Sequence, residues 1–386
     1  MDAGLYPYFR AISSGQDTEV VIKGQRMIMI GSNNYLGLVS DPRVKEAAIA
    51  AIRKFGSGCT GSRFLNGTLE LHEQLEHELA LFMEKEAALV FSTGFQTNLG
   101  TLSAIMGRSE HLYMDRANHA SLVDGARLTF GKTYKYGHND ISDLDRVLSQ
   151  TPADAGKLVA TDGVFSMEGD LARVPELVGL KKKHRFRILI DDAHGIGVMG
   201  KTGNGTAAHF GMNDKVDLIT GTFSKSFASL GGFVAGDEDV IHYLKHFSRE
   251  LIFSASIPPA NAAAVLAALE IIKKEPERRA RLWEITHRMR NEYVRLGFNV
   301  GATETPIIPI YIGPEELCFA FWKELTQSGI FANPIVAPAV PANSALIRTS
   351  YTATHTEAQM VRVLDVFEQV GRKLGVLGRA VAVSDS

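Results

Sequence analysis

The chain reads as an α/β protein, a large domain with a mostly parallel central sheet followed by a smaller C-terminal α+β domain. Three observations predict this. Short apolar runs alternate with helical patterns through the middle of the chain: AALVFS, HLYMD, KLVATDGVF, RILIDDAH, VDLITG and GGFVAG, with helices expected from Phe95, Ala120, Val174 and Asp237. Such alternation marks βαβ units. Polar residues cluster where these strands end, which is where ligands bind in open parallel sheets: Ser92-Thr93-Gly94, Asp115 with His119, Asp162 to Ser166, Asp191 with His194, and Thr220 to Lys225. After about residue 275 the pattern changes to long helix, strand PIIPIYI, helix, strand ALIRTSY, helix. The expected boundaries are an N-terminal segment at 1–45, a large domain at 46–275 and a small domain at 276–386.

Taken in order, EVVIKGQRMIMI is a strand pair whose Lys23-Gly24 fits a two-residue hairpin turn. GSNNYLGL is a Gly-rich turn in which adjacent asparagines either tolerate left-handed backbone or present an amide to a ligand. Asp41 caps a helix with Pro42 at its first position, and Val44, Ala47, Ala48, Ala51, Ile52 and Phe55 keep a helical period up to Gly56. The stretch GSGCTGSRFLNGT is too long for a simple turn and suits a loop that serves a site. Leu71, Leu75, Leu79 and Phe82 mark an amphipathic helix. Within it HEQLEH resembles a zinc-protease motif, but His72 and His77 project about 140° apart around the helix and cannot share a metal.

Composition narrows the function classes. Forty-one basic against forty-three acidic residues give a net charge of −2, so no footprint for nucleic acid is expected. Two cysteines far apart, Cys59 and Cys318, argue against a disulfide framework. MDAGLYPYFR has neither an apolar core nor a basic leader, and the most apolar long run, 258–272, is too short to span a bilayer. A cytoplasmic protein is expected.

Several constellations could carry chemistry. Lys225 lies in TGTFSKSFASLGG, between hydroxyl residues and after a short strand; a partly desolvated amine there could attack an aldehyde. GIGVMGKT, residues 195–202, matches the P-loop pattern, but the following TGNGTAAHFG starts a helix poorly. Asp191 ends the buried-looking strand ILI, where a carboxylate needs a cationic partner such as a pyridinium nitrogen. It could equally cap the next turn. His194, three residues on, could bond a ring hydroxyl. His119 opens a helix and could stack on a flat cofactor or simply pack. The turn Ser92 to Phe95 enters a helix N-terminus, a ready anion site. Arg348 in LIRTSY suits a bidentate carboxylate clamp, or is a surface arginine on an edge strand.

Together, SNNYLGL, GSRFLNGT, STGFQTN, NHAS, DGVFSMEGD, DDAHGIGVMG, GTFSKS and LIRTSYTATHT resemble, in order and spacing, the α-oxoamine synthases, pyridoxal-phosphate-dependent transferases of fold type I. The resemblance runs from about Leu5 to residue 375. It implies pyridoxal 5'-phosphate as cofactor, no metal, and a decarboxylative condensation of an amino acid with an acyl-CoA. GLYPYFR, GCTGSRFLNGTLELH, SLGGFVAG, FSASIPPA and NPIVAPAVP look most like the branch that takes L-serine and a long-chain acyl-CoA; alanine, glycine or cysteate with other acyl groups are the alternatives. Position by position, Lys225 resembles the Schiff-base lysine and base, Asp191 the partner of the pyridine nitrogen, His194 the ligand of the ring oxygen, and His119 the stacking residue that also positions the amino acid. Ser166 and Thr222 match cofactor contacts, with Gly94 and Phe95 giving backbone contacts to the phosphate. Asn33 and Arg348 match the residues that hold the substrate carboxylate. Ser254 falls where the second subunit of a homodimer reaches the phosphate, which implies active sites at the subunit interface. A lipid-like substrate also leaves room for peripheral membrane contact.

Overall fold

The computed structural model describes residues 6–377; the ends of the two terminal segments, 1–5 and 378–386, lie outside the described residues. They form two compact units. The first comprises 6–40, 166–170 and 277–377, the second 41–165 and 171–276.

The first unit opens with a hairpin. Strand β1 (Glu19–Ile22) pairs antiparallel with β2 (Gln25–Met29), Ile22 facing Gln25. Lys23 and Gly24 both have positive φ, 50° and 80°, the geometry a tight hairpin turn requires and glycine supplies at no steric cost.

In the second unit Asp41 accepts a hydrogen bond from Arg43 N at 3.0 Å and starts the helix Pro42–Phe55. The helix Glu70–Met83 follows. The central sheet is built from β3 (Ala87–Phe91), β4 (His111–Asp115), β5 (Lys132–Tyr136), β6 (Lys157–Asp162), β7 (Arg187–Asp191), β8 (Leu218–Thr222) and β9 (Gly232–Gly236). Their spatial order is β3-β9-β8-β7-β6-β4-β5. Only β9 runs against its neighbours, so the carboxyl ends of the other strands share one edge. Every residue of β6 is buried, as a sheet covered on both faces demands. Strand β5 and the helix Ile141–Leu148 have no counterpart in the apolar runs of the sequence. KTYKY is an edge strand in which only Tyr136 is buried, so it carries no continuous apolar signal.

The remainder of the first unit holds β10 (Ile307–Gly313), β11 (Ile330–Phe331), β12 (Asn333–Ile335) and β13 (Ala345–Ser350). The order β10-β13-β12 makes β13 the central strand of its sheet, while β11 extends the N-terminal hairpin by pairing with β2. The helices Pro276–Leu296, Glu315–Gln327 and Glu357–Lys373 supply Tyr293, Phe321 and Phe367 to a core closed by Phe298, with Tyr293 and Tyr351 sharing a 2.6 Å hydroxyl bond. Each such aromatic contributes about 1.5–3 kcal/mol by burial. Among the described residues no helix is long and apolar enough to cross a membrane.

His355, in the turn after β13, is buried. Its Nδ1 accepts from Thr352 N at 2.9 Å and its Nε2 lies 3.2 Å from Met29 O, a pairing that suits a neutral ring. Burial drives its pKa down to about 4. The unfolded ring binds a proton near 6.5, so the stability this group contributes is complete above that pH and is lost as pH falls towards 4, about 3 kcal/mol in all. Asp192, pushed up to about 6 mainly by burial, works oppositely, losing its contribution as pH rises through that value. Urea unfolding of the wild type and His355→Gln isolates the histidine: between pH 6.5 and 4.5 the wild type should lose more stability than the variant. Equal losses would refute the assignment.

Candidate active site

The shared carboxyl edge of the central sheet is set by register. Asp162, Asp191 and Thr220 stand side by side at the ends of β6, β7 and β8. Asp191 is 7% exposed; its Oδ1 accepts from Ala193 N at 3.2 Å and its Oδ2 from Asn98 Nδ2 at 2.6 Å. Burial, and next the Asp191 carboxylate, push the Asp162 carboxyl well above the ordinary carboxylate range, with the His119 amide as a partly offsetting donor.

His119 caps the helix Ala120–Leu128, its Nδ1 accepting from Ser121 N at 3.2 Å. The capping reading of this residue is therefore observed, and the cap fixes the ring through Nδ1. Burial lowers its pKa, opposed by Asp191 and reinforced by the nearby Lys225. Those influences place His119, Asp191 and Lys225 in one electrostatic neighbourhood.

Lys225 is held by what flanks it. Phe223 and Phe227 are fully buried, meeting edge to face at 5.5 Å, and Phe223 stacks on Phe233 of β9 at 5.8 Å. The alternation of phenylalanines with lysine anchors the loop after β8 and leaves Lys225 half-buried. Thr222, ending β8, shares a 2.9 Å hydroxyl contact with Ser224.

Thr93 caps the helix Gly94–Ile105 through Gln96 N, so the preceding amides, Gly94 and Phe95, point out of the helix start. Gly94 is required by close approach: a Cβ there would lie 2.7 Å from Thr222 Cβ and Oγ1. Ser254 lies against the same turn, its Oγ 2.9 Å from Gln96 Nε2. His194 occupies the turn after β7.

In the first unit, Arg348 is on the central strand β13 and 5% exposed, which removes the reading of a surface arginine on an edge strand. Among the described residues its side-chain partners are Ser166 O at 2.7 Å, Asn33 Oδ1 at 3.0 Å and the Tyr35 hydroxyl, all neutral. Asn33, Ser166 and Arg348 thus come together around a guanidinium oriented by neutral acceptors.

The P-loop pattern at 195–202 fails as a phosphate site. The amides of Gly195, Ile196, Gly197, Val198 and Met199 all donate to carbonyls within the loop, and the helix beyond it, Thr206–His209, is a single turn. The loop instead packs around Asp192, whose Oδ1 and Oδ2 accept from Thr206 Oγ1 and Thr206 N at 2.6 and 2.5 Å. Residues that sequence reasoning missed are Asn98 and Ser121. The available signal was an asparagine one helical turn past Gly94, on a face otherwise buried.

The aminotransferase class I and II family matches residues 25–367. Serine palmitoyltransferase of Sphingobacterium spiritivorum is 53% identical over 367 residues, 95% of this chain and 92% of that protein. The 8-amino-7-oxononanoate synthase of Symbiobacterium thermophilum is 43% identical over 376 residues, 97% and 96% of the two chains. Among solved structures, serine palmitoyltransferase from S. paucimobilis with bound PLP-myriocin aldimine matches with a TM-score of 0.95 at 35% identity, covering 97% of this chain and 96% of that one. The expected fold type I architecture is borne out by this likeness together with the mostly parallel sheet.

The loop 56–68 is fastened beside Ser256 by a buried ion pair. Arg63 Nη1 and Nη2 meet Glu76 Oε1 and Oε2 at 2.7 and 3.0 Å, Glu76 also accepts from Val90 N, and Ser256 Oγ bonds Gly67 O at 2.6 Å. Removing one partner leaves the other charge buried and unanswered. Arg63→Met should therefore lower stability by about 3–5 kcal/mol in urea unfolding; a change below about 1 kcal/mol would show that the pair is not what holds the loop.

Proposed function

Because this chain belongs to the class I and II aminotransferase family, we propose that it is a pyridoxal-phosphate enzyme that condenses L-serine with a long-chain acyl-CoA such as palmitoyl-CoA. The products are 3-ketosphinganine, CoA and CO₂, the first step of sphingolipid synthesis. The observation that carries the reading is the 53% identity to a serine palmitoyltransferase over nearly the whole of both chains, against 43% to an oxononanoate synthase.

The residues present fit the cofactor. Outward-pointing amides of Gly94 and Phe95 and the Thr222 hydroxyl make an anion cradle that any side chain at position 94 would fill, and Ser254, expected to reach a phosphate from the second subunit, bonds Gln96 within its own chain at the same helix turn. Asp191 supplies the buried carboxylate that a pyridine nitrogen needs, His194 the donor to the ring oxygen, His119 the flat ring to stack against it, and Ser166 a further contact. When bound, pyridoxal phosphate supplies the aldehyde that takes up an amine and the electron sink that stabilises a carbanion at the amino-acid α-carbon. Lys225 provides both the anchoring amine and the base that removes the serine α-proton. Arg348, oriented by Asn33 and the Ser166 carbonyl, clamps the serine carboxylate and so governs when that carboxylate leaves as CO₂. The working unit is a homodimer with active sites at its interface, supported by the exposed apolar side chains of Leu65 and Phe253.

Three measurements test this. A substrate panel of serine, alanine, glycine and cysteate at one acyl chain, followed by release of free CoA thiol, should favour serine; preference for alanine with pimeloyl-CoA would transfer the chain to the oxononanoate branch. Lys225→Ala should abolish turnover while the protein still retains cofactor noncovalently. Arg348→Lys loses the planar fork, so the KM for serine should rise roughly tenfold to a hundredfold with cofactor content unchanged. Equal loss of cofactor and of turnover would remove Arg348 from the carboxylate role.

A further inference from the structure

Asn98 lies on the helix Gly94–Ile105 and is enclosed, with three partners from three other segments. Its Nδ2 is 2.6 Å from Asp191 Oδ2 and 2.8 Å from Ser121 Oγ, and its Oδ1 is 2.7 Å from Thr220 Oγ1. Chemistry decides which amide atom is which. A carboxylate only accepts, so the NH₂ must face Asp191, and the oxygen is left to accept from the Thr220 hydroxyl. Both amide protons are then engaged, one on Asp191 and one on Ser121.

The consequence passes along the network. Ser121 Oγ already accepts from Asn98, so its own proton turns to His119 Nδ1, 2.7 Å away, which also accepts from Ser121 N. Nδ1 is therefore an acceptor, and the ring proton resides on Nε2.

We infer that Asn98 is the positioning residue of this site: one amide that fixes an oxygen of Asp191 and, relayed through the Ser121 hydroxyl, adds a second donor beside Ser121 N to hold His119 in its Nε2–H tautomer. Asp191 keeps the amide from turning over, since a flip would set Oδ1 against its carboxylate, and Thr220 donates to the amide oxygen in the orientation that remains. What Asp191 and His119 then do for a pyridoxal ring rests on the proposed function; the tautomer does not. Outer partners of this kind orient functional imidazoles and carboxylates at metal centres, and the same physics applies to a heterocycle.

Asn98→Asp tests the inference because it keeps volume and removes the N–H donors. Two quantities are read in the full-length protein: the His119 tautomer by ¹⁵N-histidine NMR, with and without pyridoxal phosphate, and the dissociation constant of pyridoxal phosphate by fluorescence titration. Asn98→Asp should raise that constant roughly tenfold to a hundredfold and convert the Nε2–H signal to a mixture. Ser121→Ala removes the hydroxyl donor and keeps the backbone N–H on Nδ1, so it should move part of the Nε2–H signal to the other tautomer while leaving cofactor affinity within about threefold. Wild-type tautomer and affinity in Asn98→Asp overturn the inference, and so does a Ser121→Ala variant that loses as much affinity as Asn98→Asp. If Asn98→Asp fails to fold, Thr220→Val decides: a mixed tautomer supports the inference and a wild-type tautomer overturns it. Failure of the wild type to bind pyridoxal phosphate defeats the proposed function alone, while the cofactor-free NMR arm still judges Asn98.

Discussion

A carboxylate stripped of most of its water, at the end of a strand buried in a parallel sheet, is the constraint around which the second unit is arranged. Asp191 could not remain there as an anion without donors, and an isolated buried charge is the costliest thing a fold can contain. Asn98 and the Ala193 amide answer part of that charge. The pairing of β6, β7 and β8 sets two more polar groups, Asp162 and Thr220, on the same line. Once that line is fixed, the loop leaving β8 has little freedom in where it delivers Lys225.

The first unit shows the same logic with the sign reversed. Arg348 is a cation on a central strand, given only neutral acceptors by Asn33, Ser166 and Tyr35. Neutral acceptors orient a guanidinium without cancelling its charge. An acidic side chain in their place would have answered the charge within the fold.

Much of this was legible in the sequence because it depends on short-range signals. The Asp41-Pro42 helix start, the Lys23-Gly24 turn and the apolar strands with their polar ends each follow from local chemistry, and Lys225, Asp191, His119 and Gly94 all lay at predicted strand ends. Features that depend on distant partners were not legible. KTYKY carries no apolar run because it is an edge strand, and β11 finds its partner about three hundred residues earlier in β2. Asn98 looked like an indifferent helical residue, since its meaning comes from Asp191, Ser121 and Thr220, which only folding assembles. The P-loop pattern misled for a related reason: a pattern of letters does not reveal that its amides are already bonded within the loop.

The two neighbouring aspartates after β7 carry one further consequence. Asp192 continues the β7 pairing through its amide to Thr220 O, so consecutive carboxylates face opposite sides, one towards Asn98 and one into the glycine-rich loop. Deleting or inserting a single residue within β7 would exchange their duties, leaving the loop without its tether and Asn98 without its acceptor. Strand β7 thereby acts as a frame-sensitive element: it should accept many changes of apolar side chain and almost no change of length, and natural or engineered variation in chain length should be confined to the loops beyond it.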